Sequence, residues 1–389
     1  MTRVRLVTPL LMVVVLLMAA CGQIDGLSDG SQTGIEAGEG QICGLNSSPS
    51  FAPSGIEKLD GGSNSLSGAG ATFPAPIYSL WASEYKKATG VEVAYQSIGS
   101  GGGVKQISEQ TVDFGASDAP MKDTELSKAK GGPVLHIPTV LGAVVPTYKL
   151  KGHGSGLKFT GEVLGKIFAG QITRWDDKEI VDLNPDAILP SLPIAVVHRS
   201  DGSGTTDIWT NYLTAASPSW VAALGGNDKS AGKEVAWPVG IGGKGNEGVS
   251  AAVGQTEGAI GYVELSFAIE QRLSVGWVKN RAGKFVQPCI ATVTAAAQGA
   301  KIPDDLRFSI VDADGPDAYP VSGATWLLVY ENQTDEAKAK TLVNFLAWIM
   351  DEGEMTASTL NYAPISTALR DKAVAKIKGI KLNGAPVAA

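Results

Sequence analysis

The chain has 389 residues, a formal net charge of −7 and 44% hydrophobic residues, which is enough material for two cored domains. An acidic balance of this size excludes the broad positive field with which proteins attract nucleic acid or other polyanions. Any anion site must therefore be built locally, from a few donors in one place.

The first twenty residues have the pattern of a secretory signal peptide. Two arginines precede an apolar run over residues 10–18, which is too short to span a bilayer, and two alanines precede Cys21. The small residues before Cys21 resemble the lipobox of bacterial lipoproteins. We therefore predict a mature extracytoplasmic protein that begins at Cys21 and is anchored to the cell membrane by a lipid on that residue. Ordinary cleavage near residue 20 is the alternative.

Two further cysteines and a polar segment follow. Cys43 and Cys289 remain once Cys21 is lipidated, and an exported protein usually pairs two such cysteines, so we predict a disulfide. Two separate thiols are the alternative. Residues 21–63 are rich in Gly, Ser, Asp and Asn without periodicity, which predicts a flexible linker.

After residue 63, short apolar runs alternate with amphipathic segments, which is typical of an α/β fold. The long apolar segments 136–148 and 321–330 are candidates for two crossovers between the lobes of a hinged protein. Two ordinary buried strands of one sheet would have the same pattern. The predicted strands are 91–95, 134–145, 194–197 and 326–330, and the predicted helices are 77–87, 103–109, 205–213 and 338–350.

Three loops rich in glycine and hydroxyl groups lead directly into predicted helices. A helix N-terminus presents unpaired N–H groups and a partial positive charge, so it can bind an anion without a cation. The first loop contains Thr72 and Phe73 ahead of two prolines, although threonine here is often only a helix cap. The second has Ser100 followed by three glycines, which let a ligand approach the backbone. An ordinary strand-to-helix turn is the alternative for this loop.

The third loop is the most specific of the three. Arg199 ends an apolar run, and Asp201 is close enough in sequence to orient its guanidinium. Ser203, Gly204 and Thr205 open the next predicted helix. A planar guanidinium beside N–H and hydroxyl donors suits a tetrahedral oxyanion. A structural pair of Arg199 and Asp201 over a capped helix is the alternative.

One acidic residue, Asp118, lies among small residues in the string DFGASDAP. A carboxylate accepts hydrogen bonds but cannot donate them, so in an anion pocket it favours a ligand that carries a proton. Hydrogen phosphate has such a proton and sulfate does not, and the mismatch would cost several kcal/mol. A helix or turn cap is the alternative role for Asp118.

These four segments, in this order and at these intervals, resemble the phosphate-binding lipoproteins of the high-affinity bacterial phosphate ABC importer, the PstS family. SDGSGTT and GASDAP are the most specific strings, and EGAIGYVE, YPVSGATWLLVY and LNYAPI extend the similarity toward the C-terminus. The resemblance implies a two-lobed type II periplasmic-binding-protein fold of the α/β class with two hinge crossovers. Lobe I would comprise residues 64–141 and 318–389, and lobe II residues 142–317.

The same resemblance implies a role for each candidate residue. Asp118 would accept the phosphate proton and Asp201 would hold the guanidinium, while Gly101 stands where some members have a second serine. The residues implied to donate to phosphate are Thr72, Phe73, Ser100, Arg199, Ser203, Gly204 and Thr205.

The implied function is capture of inorganic phosphate by closure of two lobes, followed by delivery to the membrane permease subunits of an ABC importer. The protein is expected to act as a monomer, with no cofactor, no metal, no catalytic residue and no nucleic-acid partner. A binder of another oxyanion such as arsenate, or a surface protein for adhesion or sensing, would be compatible with the same fold.

An exported phosphatase is a further alternative, and the residues present speak against it. Metal-dependent hydrolases cluster His and Asp ligands, whereas His136, His153 and His198 are well separated. No cysteine lies in an arginine-containing anion loop, and Ser203 has only His198, five residues earlier, as a nearby base. We therefore expect a binding protein rather than an enzyme.

Overall fold

The computed structural model describes Cys43 and residues 51–388. The predicted signal peptide, Cys21 and the predicted linker up to residue 50, apart from Cys43, lie outside the described residues. In the part of the chain that is described, no helix is long and apolar enough to cross a membrane.

Strands and helices alternate along the described chain, and each predicted element has an observed counterpart. The strands are β1 (Ser65–Gly70), β2 (Glu92–Ser97), β3 (Phe114–Ser117), β4 (Val134–Tyr148), β5 (Lys158–Phe159), β6 (Ala195–Arg199), β7 (Ile241–Gly243), β8 (Ala259–Glu264), β9 (Ser274–Val275), β10 (Trp277–Lys279), β11 (Phe285–Val286), β12 (Ser322–Tyr330), β13 (Asn332–Gln333), β14 (Ala363–Pro364), β15 (Lys381–Leu382) and β16 (Ala385–Pro386). The helices are α1 (Ala75–Thr89), α2 (Ser100–Ser108), α3 (Asp123–Leu126), α4 (Gly161–Phe168), α5 (Lys178–Val181), α6 (Gly204–Ala216), α7 (Pro218–Leu224), α8 (Asn227–Ser230), α9 (Gly245–Gln255), α10 (Leu265–Glu270), α11 (Ile290–Ala297), α12 (Glu336–Asp351) and α13 (Thr367–Lys378), with a 3-10 helix at Gly353–Leu360.

One large sheet organises the fold. Its strand order is β2-β1-β3-β12-β4-β8-β6-β7, and β9 and β14 also pair with β4. Strands β2, β1 and β3 are parallel, as are β7, β6 and β8, whereas the central pairs around β4 are antiparallel. We call β1–β3 and β12, with their helices, the first half of the sheet, and β6–β8, with their helices, the second half.

Strand β4 belongs to both halves. From Val134 to Ala143 it pairs with β12, and from Val144 to Tyr148 it pairs with β8. Its residues are almost all buried, as expected for a strand covered on both faces. The two long apolar segments are therefore neighbouring strands of one sheet, and β4 passes from one half to the other. The division into lobes at residues 141/142 and 317/318 remains a prediction.

Residues 51–63 belong to the folded body and do not form a free linker. The N–H and hydroxyl of Ser54 both donate to the Asp351 carboxylate at 2.6 Å, and the N–H of Leu59 donates to Asn344 Oδ1 at 2.9 Å. The linker prediction is therefore wrong for this stretch. Its sequence lacks periodicity because the segment forms no regular element, and its partners on α12 are nearly 300 residues away in sequence.

Cys43 and Cys289 form a disulfide across 246 positions of the chain. Cys289 is the residue that precedes α11, and its N–H donates to Thr292 Oγ1 at 3.0 Å. The predicted pairing is confirmed, so the N-terminal segment is covalently attached to the body at the start of α11.

Candidate anion-binding site

The three predicted anion loops meet between the two halves of the sheet. Each follows the carboxyl end of a parallel strand, namely β1, β2 or β6, and enters a helix, which is where ligand sites form in open α/β sheets. The N–H of Gly101 donates to the carbonyl of Gly202 at 2.8 Å, and the N–H of Gly204 donates to Ser100 Oγ at 3.0 Å. These two bonds join α2 of the first half directly to the third loop of the second.

The first loop presents a buried N–H group. Helix α1 begins at Ala75, after Thr72 and Phe73, and Pro76 occupies its first turn, where the missing N–H of proline is not needed. Both Thr72 and Phe73 are buried. The carbonyl of Phe73 accepts a hydrogen bond from the Tyr362 hydroxyl at 2.6 Å, whereas its N–H has no partner among the described residues.

Ser100 and Asp118 are in direct contact, as part of the same site. Ser100 Oγ accepts from the N–H of Asp118 at 3.2 Å and lies 3.3 Å from Asp118 Oδ2, to which it donates. Asp118 Oδ1 accepts from the Thr325 hydroxyl at 2.8 Å. Burial raises the pKa of Asp118 to about 7, against the opposing effects of the Thr325 hydrogen bond and the Arg199 charge. Near neutral pH this carboxyl is therefore close to the balance between its two forms.

Arg199 contributes the cation of the site. Its Nε and Nη2 donate to the two carboxylate oxygens of Asp201 at 2.8 and 2.5 Å, and the N–H of Gly245 also donates to Asp201. Although burial acts to raise the pKa of Asp201, its bonds to Arg199 outweigh this effect and lower it. The remaining nitrogen of Arg199, Nη1, is buried and has no partner in the described part of the chain. A buried donor left in this state is costly.

The first turn of α6 supplies donors beside Arg199. Ser203 precedes the helix, and its hydroxyl accepts from the N–H of Thr206 at 3.0 Å. The N–H of Thr205 belongs to the first turn, where no preceding helical carbonyl exists to accept it. A Cβ built on Gly204 would lie 2.5 Å from the Asp118 Cβ and 2.7 Å from Ser100 Oγ. Glycine is therefore needed here for the two halves to approach so closely.

Comparison with known proteins places the chain in a family. A model described as a PBP superfamily domain matches residues 56–352. The phosphate-binding protein PstS of Pasteurella multocida (strain Pm70) is 42% identical over 316 residues, which cover 80% of this chain and 90% of the relative. The protein of the same name from Haemophilus influenzae (strain ATCC 51907 / DSM 11121 / KW20 / Rd) is 43% identical over 305 residues, covering 78% and 89%. The chain belongs to the PstS family.

The fold agrees with membership of the PstS family. The subatomic-resolution structure of the high affinity periplasmic phosphate-binding protein PfluDING superposes with a TM-score of 0.65 at 22% identity, covering 80% of this chain and 93% of that one. The predicted α/β fold of the periplasmic-binding-protein type is confirmed, and so is the resemblance from which it was inferred.

Two residues at the site of this PstS-family chain escaped the sequence analysis. Thr325 lies in β12 and donates to Asp118, and Asn246 lies in the first turn of α9 and contacts both Thr72 and Thr205. A signal for Asn246 was present, because the string GGKGNEG is a fourth glycine-rich segment that leads into a helix. Thr325 had no such signal, since a threonine inside an apolar strand is common.

A second buried carboxyl, Glu264, lies at the end of β8. Its Oε2 accepts from the N–H of Ser266 at 2.9 Å and from the Ser266 hydroxyl, whereas its Oε1 has no partner within the described chain. Burial raises the pKa of Glu264 to about 8. The Ser266 hydroxyl oxygen also lies 3.1 Å from the Tyr362 hydroxyl oxygen, and the Tyr362 hydroxyl donates to the carbonyl of Phe73. Glu264 is thereby connected to the first anion loop through two hydroxyl groups.

The side chains of His136 and His198 have structural contacts. His136 is buried and its Nε2 accepts from the N–H of Met121 at 3.0 Å, and burial lowers its pKa to about 4. The ring of His198 stacks on Trp237 with centroids 4.8 Å apart, and its Nδ1 contacts the carbonyl of Arg199. Within the described residues, no group of three or more His, Cys, Asp or Glu side chains is placed to hold a metal ion.

Proposed function

We propose that this chain captures inorganic phosphate outside the cytoplasm and delivers it to an ABC importer. Family membership supports the proposal, because the similar proteins carry the name phosphate-binding protein PstS. The observation in the chain that carries it is the unpartnered Nη1 of Arg199, a buried cationic donor. An oxyanion between the two halves would satisfy this donor.

The proposed phosphate site draws donors from both halves of the sheet. Phe73 offers an N–H from the first half, and Thr205 offers an N–H and a hydroxyl from the second. Arg199 adds the charged fork, with its orientation held by Asp201. An anion bound by all of them would stabilise the contact between the halves, which is capture by closure. The proposed donor set is Thr72, Phe73, Ser100, Arg199, Ser203 and Thr205, with Asp118 as acceptor of the phosphate proton. Ser100 would donate through its N–H, because its hydroxyl hydrogen is already used by Asp118. Gly204 was predicted as a further donor, but its N–H is taken by Ser100 Oγ in this structure.

The charges of Arg199, Asp201 and Asp118 nearly balance, so the site should select between anions by hydrogen bonding rather than by net electrostatic attraction. Arg199 is already paired with Asp201, and the Asp118 carboxyl lies close by. The site therefore offers a dehydrated anion many N–H and hydroxyl donors but little net positive charge. Such a site distinguishes ligands by the protons they carry, because a protonated oxyanion can donate to Asp118.

Membrane attachment through a lipid on Cys21 and transfer to permease subunits belong to the same proposal, as does the absence of catalysis. The Ser203 hydroxyl caps α6, and the nearest histidine in sequence, His198, is stacked on Trp237. A serine with no base beside it is a weak nucleophile, which supports a binding protein rather than a phosphatase.

The test is calorimetric titration of the mature protein, freed of bound ligand, with phosphate and then with sulfate at pH 8. We expect saturable phosphate binding and no sulfate binding at the same concentrations. Lys178→Ala is the matched surface control, because its ion pair with Asp182 is exposed and local. Wild-type protein that ignores phosphate but binds another oxyanion would overturn the proposed ligand.

We expect Lys233→Ala to weaken phosphate binding by about twofold to fivefold. Lys233 of the second half forms an ion pair with Glu125 of α3 at 2.6 Å, with side chains 13% and 26% exposed. Because the pair joins the two halves, its loss disfavours the closed form to which the ligand is proposed to bind. Calorimetry beside Lys178→Ala measures the effect, and equal affinities in the two variants would contradict it.

A further inference from the structure

The side chain of Asn246 reaches two threonine hydroxyls that belong to different halves of the sheet. It is completely buried in the first turn of α9. Its Nδ2 donates to Thr72 Oγ1 at 2.7 Å and to Thr205 Oγ1 at 3.1 Å. Its own N–H also donates to Thr72 Oγ1, at 3.2 Å. The amide therefore bridges the first and third anion loops.

The orientation of this amide is determined by a third contact. Asn246 Oδ1 accepts from the N–H of Glu264 at 2.9 Å. Since a backbone N–H can only donate, the amide oxygen must face Glu264, and the NH₂ group must face the two hydroxyls. A flipped amide would place two donors against each other at Glu264 and an acceptor against the threonines.

The consequence for Thr72 follows from the capacity of a hydroxyl group. A hydroxyl has two acceptor lone pairs and one hydrogen to donate. Thr72 Oγ1 already accepts from two N–H groups of Asn246, so only its hydrogen is left for another partner. Thr205 Oγ1 accepts one bond from the same amide. Among the described residues, neither hydroxyl donates to any group, and both are buried.

We propose that Asn246 is a positioning residue that fixes the hydroxyls of Thr72 and Thr205 as donors toward the bound anion. This inference rests on the proposed function and adds a residue to that site. A free hydroxyl can rotate and present either a lone pair or a hydrogen, whereas an anion requires the hydrogen. By occupying both lone pairs of the Thr72 hydroxyl and one of the Thr205 hydroxyl beforehand, Asn246 reduces the reorganisation that binding would otherwise require.

A double-mutant cycle on phosphate affinity tests the proposal. Asn246→Ala in the wild-type background should weaken phosphate binding roughly tenfold to a hundredfold. In a Thr72→Val background, where one oriented hydroxyl is already gone, the same change should cost at least about threefold less. Equal costs in the two backgrounds would show that Asn246 supports the fold without orienting Thr72, and would overturn the proposal.

Two further variants separate orientation from folding. Asn184 is a buried asparagine with matching bonds, since its Oδ1 accepts from the N–H of Lys158 and its Nδ2 donates to two carbonyls. Asn184→Ala should lower thermal stability without changing phosphate affinity. If Asn246→Ala folds poorly, the cycle is run with Asn246→Asp, which keeps an acceptor for Glu264 but cannot donate to the threonines. If Asn246→Asp then costs the same phosphate affinity in the wild-type and Thr72→Val backgrounds, the proposal is overturned.

Wild-type protein titrated in parallel distinguishes a failure of the proposed phosphate-binding function from a failure of the proposed role of Asn246. If the wild type binds no phosphate, the proposed function fails and this inference fails with it. If the wild type binds phosphate and the costs in the cycle simply add, only the role of Asn246 is rejected.

Discussion

Replacing Arg199 with methionine should weaken phosphate binding by at least about a thousandfold, equivalent to about 4 kcal/mol. The substitution keeps an unbranched side chain but removes the cationic fork, including the buried Nη1 that has no partner in the described structure. It also leaves the Asp201 carboxylate facing the site without its bidentate partner. Calorimetry with phosphate, on protein shown to be folded by its thermal transition, measures the effect.

Two companion variants show whether the loss arises from the site or from the fold. Arg174→Met removes an arginine whose pair with Asp176 is about half exposed, and it should leave the affinity unchanged. Adding Asp201→Leu to Arg199→Met removes the uncompensated carboxylate. The double variant should therefore be more stable than Arg199→Met alone, while phosphate binding stays lost. If Arg199→Met alone bound phosphate within tenfold of the wild type, Arg199 would not be the anchor of the anion.

Replacing Asp118 with asparagine should allow sulfate to bind at least about a hundredfold more tightly than it binds the wild type at pH 8. The amide that replaces the carboxylate can donate to an oxyanion that carries no proton. Thr325 can keep its bond to the oxygen that remains, while the NH₂ group takes the place of the oxygen that Ser100 contacts. Because asparagine has nearly the same shape as aspartate, the shape of the site should persist. Paired phosphate and sulfate titrations measure the ratio of the two affinities.

Sulfate affinity should also depend on pH in the wild type. Because burial raises the pKa of Asp118 to about 7, the protonated carboxyl becomes the main form as the pH falls from 8 to 6. It can then donate to sulfate, so sulfate affinity should rise in the wild type and stay flat in Asp118→Asn. Thr325→Val removes a hydrogen bond that stabilises the carboxylate, so the midpoint should move to higher pH. A flat wild-type profile would contradict this role for Asp118.

Much of the fold and of the site could be predicted because the relevant signals are local. Helix starts are indicated by the prolines after Thr72, by the glycines after Ser100 and by the capping residue Ser203. These signals depend little on the rest of the structure. The alternation of apolar runs and amphipathic segments shows where strands and helices lie, and the observed elements match it. Arg199 and Asp201 are two residues apart, so their pairing could also be anticipated.

Contacts between distant segments could be known only from the tertiary structure. Asn246 is 174 positions from Thr72, and Thr325 is 207 positions from Asp118. Residues 51–63 lack any periodic pattern, yet they hydrogen-bond to α12.

Local features could be predicted from the sequence and features that depend on burial could not, for a physical reason. Backbone preferences, caps and short-range charge pairs depend on neighbouring residues, so the order of amino acids determines them directly. The elevated pKa of Asp118, the unpartnered nitrogen of Arg199 and the amide orientation of Asn246 depend on burial and on which groups remain unpaired after folding. Those properties exist only once segments far apart in the chain pack together and exclude water.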